Sequence, residues 1–122
     1  MNDEFTLTDL ETNRPVAVLR PAGRINNEAA RDLNMHCETL YDNGYNQVIV
    51  ELSDVTFIAS SGVGILVKLT FDFLERGGIF QIADVSDPVM RVVDLLNSRQ
   101  FLNISETVEA AKQKLEALNA PS

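Results

Sequence analysis

Apolar positions in this chain recur at two spacings, one fitting strands and one fitting helices. Val48-Ile49-Val50-Glu51-Leu52 is a short β-branched run of the kind that forms a buried strand. Residues 63–74 are apolar except at Lys68, Thr70 and Asp72 and contain no proline, which predicts a helix. Upstream, Phe5, Leu7 and Val16, Val18 alternate in two runs separated by Glu11-Thr12-Asn13-Arg14-Pro15. These runs predict two antiparallel strands joined by a turn, with Pro15 fixing the exit and Pro21-Ala22-Gly23-Arg24 ending the second strand. Asn26 or Asn27 then caps a helix to about Asn43, whose buried stripe is Ala29/Ala30, Leu33, Cys37 and Leu40/Tyr41; Gly44 supplies its left-handed stop.

Downstream, Arg76-Gly77-Gly78 stops the central helix and residues 79–83 read as another strand. Asp87 caps, and Pro88 opens, a helix to about Leu96 that buries Val89, Val92/Val93 and Leu96. Phe101-Leu102-Asn103-Ile104 reads as a last short strand, and Ser105 caps a final helix with the stripe Val108, Ala111, Leu115 and Leu118. Residues 119–122 are expected to fray. Two strands followed by helix–strand alternation predict an α/β sandwich with a mixed, mostly parallel sheet of about four to five strands and about four helices. Its first strand is antiparallel to the rest.

Composition narrows the function. The 122 residues make one domain, with a core over about 5–118. Ten basic against 18 acidic residues give a charge of −8, which argues against nucleic acid as a partner and suits a basic protein surface. A single cysteine, Cys37, an acidic start at Met1-Asn2-Asp3-Glu4 and no apolar run near ~18 residues point to a cytoplasmic protein without membrane insertion. Enzyme chemistry finds little to work with. His36, the only histidine, and Cys37 are adjacent on a helix, so their side chains diverge by about 100° and form no dyad. No metal set and no cofactor motif is present; Asp84 reads as solvent-exposed and Asp87 as a cap.

The candidate site lies between the central strand and helix, where the chain reads Asp-Val-Thr-Phe-Ile-Ala-Ser-Ser-Gly-Val-Gly from Asp54 to Gly64. Ser60 is placed to cap the helix, and Gly62 and Gly64 strip bulk from its first turn so that another molecule can approach the backbone. Ile58 and Ala59 stand where a Gly-x-Ser-x-Gly hydrolase elbow needs glycine, and no phosphate-binding Gly-x-x-x-x-Gly-Lys string occurs. The stretch resembles the signature of the STAS domain, the family of bacterial anti-sigma factor antagonists, through Asp54, Phe57, Ile58, Ser60, Ser61, Gly62 and Gly64. The order of elements from about Phe5 to Leu118 fits as well. One position departs: Ala59 stands where the family usually has aspartate.

The resemblance implies a stand-alone, non-enzymatic STAS protein with Ser60 as phosphoacceptor and Ser61 as second candidate. Its implied partners are a serine kinase of the anti-sigma factor type and a resetting serine phosphatase. An alternative is a soluble STAS adaptor subunit of a lipid-trafficking ABC-type transport complex. On a wheel of about 100° per residue, Val63, Leu66, Val67, Thr70, Phe73 and Leu74 form the core side of the central helix. Lys68, Asp72, Glu75, Arg76 and Ser61 lie opposite, with Ile65 among them and Leu69 at the border. The expected partner-binding set is therefore Ser60, Ser61, Gly62, Ile65, Lys68, Leu69 and Asp72.

Overall fold

The computed structural model describes residues 5–13 and 16–119, with side chains from 16 to 118. The expectations about Pro15 and residues 120–122 lie outside the described residues. Strand β1 (Phe5–Asn13) runs antiparallel to β2 (Val16–Ile25). Helix α1 (Asn27–Asp42), β3 (Gln47–Glu51), β4 (Asp54–Ile58), α2 (Ser60–Glu75), β5 (Ile79–Ala83) and α3 (Asp87–Leu95) follow. A 3-10 turn (Arg99–Phe101), a two-residue β6 (Ile104–Ser105) and α4 (Val108–Asn119) complete the fold.

The sheet order is β1-β2-β3-β5-β6, with β4 also paired to β2. All pairings after β1–β2 are parallel, so the predicted mixed α/β sheet is the observed one. Strand alternation sorts its two faces. Ala17, Leu19, Val48, Val50, Phe80 and Ile82 pack beneath α1, α2 and α3, while Val18, Ile49 and Ala83 pack beneath Ala111 and Leu115 of α4. Gln81 is buried on the α4 side and bonded at both ends of its amide: the nitrogen donates to the Ala111 carbonyl (3.2 Å), and the oxygen accepts from Ser105 Oγ (3.2 Å).

Several boundaries differ from the sequence reading. Pro21 does not end β2, which continues to Ile25. The first half of β2 pairs with β3 through Leu19, and the second half pairs with β4 from Ala22, so Pro21 falls in the gap between those pairings. A missing N–H is tolerated there. Residues 54–58 form β4, a strand that the polar Asp54 and Thr56 disguise. Arg20 pins the break between β3 and β4 through Asp54 (3.2 Å) and Glu51 (3.8 Å).

At the C-terminal end, residues 101–103 are not strand: Phe101 closes the 3-10 turn, Leu102 and Asn103 are irregular, and only Ile104 enters β6. Ser105 is buried in β6, and Thr107 Oγ1 caps α4 by accepting from the Ala110 N–H (3.0 Å). Asp87 is the first residue of α3, not its cap; Ser86 takes the cap position, although its hydroxyl donates instead to the Val55 carbonyl (2.7 Å). Leu96 and Leu118 are exposed. Asn26 does cap α1, accepting from Ala29 N–H (2.9 Å), and Gly44 has φ +98° at its stop.

Helices α1 and α2 are joined by a charged clasp. Lys68 Nζ reaches Glu38 (3.0 Å), Asn34 (3.0 Å) and Asp72 (2.8 Å), and Arg76 reaches the other Glu38 oxygen (3.0 Å). The Arg76 guanidinium lies 5.0 Å from the Tyr41 ring centre, and the Tyr41 hydroxyl donates to the Arg76 carbonyl (2.7 Å). Hydrogen bonds from Lys68 and, beyond a smaller opposing effect of burial, from Arg76 hold the Glu38 carboxyl below its usual 4.5.

A carboxylate with a lowered folded-state pKa contributes stability above its unfolded value, and that contribution is lost as pH falls through the folded value. Glu38→Gln should therefore unfold at lower urea than the parent near pH 7. The gap between the two proteins should narrow as the pH drops below about 4.5. A gap that stays constant into acid, measured by urea titration, would show that Glu38 acts through packing and not through its charge.

Candidate functional site

Strand β4 delivers the serine turn to the carboxyl end of the sheet. Its last residues pair with the end of β2, Phe57 with Arg24 and Ile58 with Ile25. The Ala59 N–H then donates to the Ile25 carbonyl (2.8 Å), which stitches the turn to the adjoining strand. Ala59 is extended (φ −76°, ψ 160°) and occupies the N-cap of α2, which begins at Ser60. The expectation that Ser60 is the cap is thus wrong by one residue. The cap position holds an alanine with no side-chain acceptor, so the turn is closed only by the main chain, through Gly62 N–H (2.8 Å) and Val63 N–H (3.3 Å) to the Ala59 carbonyl. The Ser60 and Ser61 N–H groups have no backbone acceptor among the described residues and point out along the positive end of the helix dipole.

The two glycines have different reasons. A Cβ on Gly62 would stand 2.7 Å from Ile58 Cγ1 and 3.2 Å from Ile25 Cγ2, so the first turn of α2 lies directly on the strand ends. Gly62 is buried and reaches no partner, which removes it from the expected binding set. A Cβ on Gly64 would meet nothing within 4 Å, and Gly64 is exposed. The fold does not require glycine at 64.

The paired serines also differ. Ser61 Oγ donates to Asn27 Oδ1 at the start of α1, so this hydroxyl is taken up by the junction of the two helices. Ser60 is exposed, and its hydroxyl has no hydrogen-bond partner among the described residues.

Around α2, three stripes divide the helix. Gly62, Val63, Leu66, Leu69, Thr70 and Phe73 are buried on the sheet, which places Leu69 at 0% exposure and out of reach of a partner. Ser61, Ile65, Lys68, Asp72 and Arg76 form the stripe facing α1. There Ile65 is half-buried against the core, not projecting into solvent, and Lys68 and Asp72 are ion-paired in the clasp. The third stripe is Ser60, Gly64, Val67, Phe71 and Leu74. Phe71 is 51% exposed and Leu74 66%, so Leu74 does not belong to the core side on which the wheel put it. Phe71 packs against the ring of Phe101 in the 3-10 turn at 6.3 Å between centres.

The sequence reading missed this outward apolar stripe. Its signal was the recurrence of 60, 64, 67, 71 and 74 at three- and four-residue intervals, masked because Leu74 looks like core and because Val67 is indeed half-buried against the core, as the wheel has it. Arg24 stacks 4.2 Å over the Phe57 ring, giving the same end of the sheet a cation beside the serine turn. Cys37 is buried in the α1 core stripe. Among the described residues no group of three or more His, Cys, Asp or Glu is placed to hold a metal ion, and no helix is long and apolar enough to cross a membrane.

Comparison with known proteins finds anti-sigma factor antagonists and, by fold alone, the STAS domain of a Vibrio cholerae SulP transporter at 19% identity (TM-score 0.61, 88% of each chain covered). Residues 8–111 match the model of the STAS domain. A Thermotoga maritima protein named "Putative anti-sigma factor antagonist" is 28% identical over 101 residues, covering 82% of this chain and 89% of its own. The crystal structure of a Thermotoga maritima protein of that description superposes with a TM-score of 0.78 at 26% identity, over 92% of this chain and 94% of that one. The anti-sigma factor antagonist SpoIIAA in its unphosphorylated form shares the fold at 16% identity (TM-score 0.70, 97% and 98% covered), and SpoIIAA has also been solved in a phosphorylated form.

Three substitutions separate the parts of the turn. Gly62→Ala should be net destabilising, because overpacking costs about 1–3 kcal/mol while the helix-propensity gain is roughly 1 kcal/mol. Gly64→Ala should stabilise by about 0.5–1 kcal/mol. Ala59→Asp should stabilise by about 0.5–2 kcal/mol by supplying the absent cap. Guanidinium unfolding of the three variants tests this; a stabilised Gly62→Ala would contradict the close seating of α2 on the strands.

Proposed function

The chain belongs to the STAS domain family, and we propose that it works as a phosphorylation-controlled binding switch of the anti-sigma factor antagonist type, with Ser60 as the phosphoacceptor. The observation that carries this reading is the inequality of the two serines: the Ser60 hydroxyl is exposed and unengaged at a helix start, while Ser61 is held by Asn27. A kinase needs an acceptor oxygen it can reach without first breaking a bond inside the substrate. Ser60 meets that condition.

A phosphate on Ser60 adds about −1.5 to −2 charges at a place where free N–H groups and the helix dipole favour an anion. The helix therefore survives the modification, and the consequence falls on whatever covers the turn. The outward stripe that starts at Ser60 offers the binding surface: Gly64 allows close backbone approach, and Phe71 supplies apolar area beyond it. Unphosphorylated, the protein docks this stripe on an anti-sigma factor of the serine-kinase type and frees the sigma factor. Phosphorylated, it places a dianion in the contact, where desolvation and repulsion dissociate the complex. A serine phosphatase resets the turn. Ile65, Lys68 and Asp72 sit beside this surface and contribute only at its α1-side rim. The charge of −8 suits a partner with a basic face and a cytoplasmic pathway. The relatives named as antagonists favour this role over that of a transporter adaptor.

Incubation with the cognate kinase and mass-spectrometric mapping should place phosphate on Ser60, and Ser60→Ala should abolish it. Ser60→Ala should leave the denaturation midpoint nearly unchanged, because this hydroxyl caps nothing. Phosphate found only on Ser61 or Thr56 would end the proposal.

The stripes make a second test. Phe71→Asp should weaken the kinase complex by at least about tenfold, or 1.4 kcal/mol, with little change in the thermal melt. Ile65→Asp should lower the melt because its side chain packs against the core. Equal binding losses with equal melting losses in both variants would remove the outward stripe from the interface.

A further inference from the structure

The far end of α2 borders an incomplete sheet edge. Strand β6 pairs with β5 only at Ile82 and Ala83, where Ile82 N–H donates to the Asn103 carbonyl (2.9 Å) and Asp84 N–H to the Ser105 carbonyl (3.1 Å). The two-residue alternation of a strand aims the Phe80 N–H and C=O at the same edge. Among the described residues no strand stands opposite them. The Phe80 carbonyl instead accepts from the side-chain amide of Asn103 (3.0 Å), a substitute for the missing neighbour.

This edge is the floor of a hollow of about 310 Å³ lined by residues 79–81 and Asn103, with α2 on one side and α4 on the other. Leu74 projects from α2 and Leu118 from α4, each 66% exposed. Lys114, an exposed cation in a strongly acidic chain, lines the α4 side and donates to the Ile104 carbonyl (3.2 Å). Phe80 faces the α1–α3 layer, while Ile79 packs with the α4 layer, so successive residues of a strand laid here would turn toward Leu74 and Leu118 by turns.

We propose that this edge is a second binding site, which accepts an extended peptide segment as an added strand beside β5. The peptide carries apolar residues at alternate positions and an acidic group next to Lys114. The backbone groups of Phe80 provide pairing, the flanking leucines select apolar side chains, and Lys114 selects charge, the division found in β-strand addition. Asn103 acts as a gatekeeper: its side chain keeps the edge from pairing indiscriminately and gives way to a peptide N–H. The site lies at the other end of α2 from Ser60, roughly 20 Å away along a 16-residue helix, and does not depend on the switch reading.

The test uses the full ¹⁵N-labelled chain and a capped peptide of about five residues, alternating valine and threonine with glutamate at its C-terminal end. Binding should shift the amides of residues 79–81 and 103 most and slow exchange of the Phe80 amide. Leu74→Asp and Leu118→Asp should each lower affinity by about tenfold with unchanged melts. Asn103→Ala should raise affinity, because no internal bond has to be displaced. A control peptide with proline at its central position should not bind, since it lacks the pairing N–H. No binding at millimolar peptide, shifts centred elsewhere, or equal binding of the proline peptide would each overturn the proposal. Self-association of Asn103→Ala in place of peptide binding would also overturn it, by making a second copy the occupant.

Discussion

The rest of the molecule depends on the absence of one side chain at Gly62. Without a Cβ, the first turn of α2 settles on Ile25 and Ile58 at the ends of β2 and β4, closer than any other residue type allows. That contact sets the start and the rotation of the helix together. Because side chains follow at about 100° per residue, fixing Gly62 inward turns Ser61 toward α1 and Ser60 toward solvent. Both serines are exposed, and the difference in engagement between two adjacent, chemically identical hydroxyls is thus a packing result, transmitted by helix geometry. The extension of β2 past Pro21 matters for the same reason, since it supplies both Ile25 and the carbonyl that anchors Ala59.

Several cations are paired away from this turn, while Arg24 lies over the Phe57 ring beside it. Lys68 and Arg76 are gathered at the α1–α2 junction with Glu38 and Asp72, Arg20 sits at the β3–β4 break, and Arg99 holds Asp94 in a two-pronged pair at 2.8 and 2.9 Å. Each of these cations has a carboxylate partner within the fold. The clasp keeps α1 and α2 in register along the second stripe, and the first turn of α2 keeps its own unspent N–H groups.

Much of this was legible in the sequence. The helix stripe of α1, its Asn26 cap, the Gly44 stop, the buried strand at 48–52 and the α/β order all follow from local periodicity and turn chemistry, and the structure repeats them. The serine turn stood out because Ser60-Ser61-Gly62 follows a strand and opens a helix. The misses share a cause: a tertiary contact that no short window carries. Ser60 looked like a cap because serine favours that position, yet the bond from Ala59 to Ile25 moved the helix start by one residue. A wheel shows which residues share a side, not which of two apolar sides meets the sheet. The wheel therefore puts Ile65 outward, Leu69 at the border and Leu74 inward, whereas packing on α1 and the strand ends buries Leu69 and exposes Leu74. Residues 101–104 read as strand by composition, but only Ile104 and Ser105 find a partner beside β5.

The three stripes of α2 also bear on how such a chain diverges after duplication. Substitutions at Gly64 and Phe71 alter what the outside world meets, while the sheet-facing and α1-facing residues keep the fold and the presentation of Ser60. Two copies in one cell can drift apart on the outward stripe alone and so become insulated from each other's signals, with no intermediate that fails to fold.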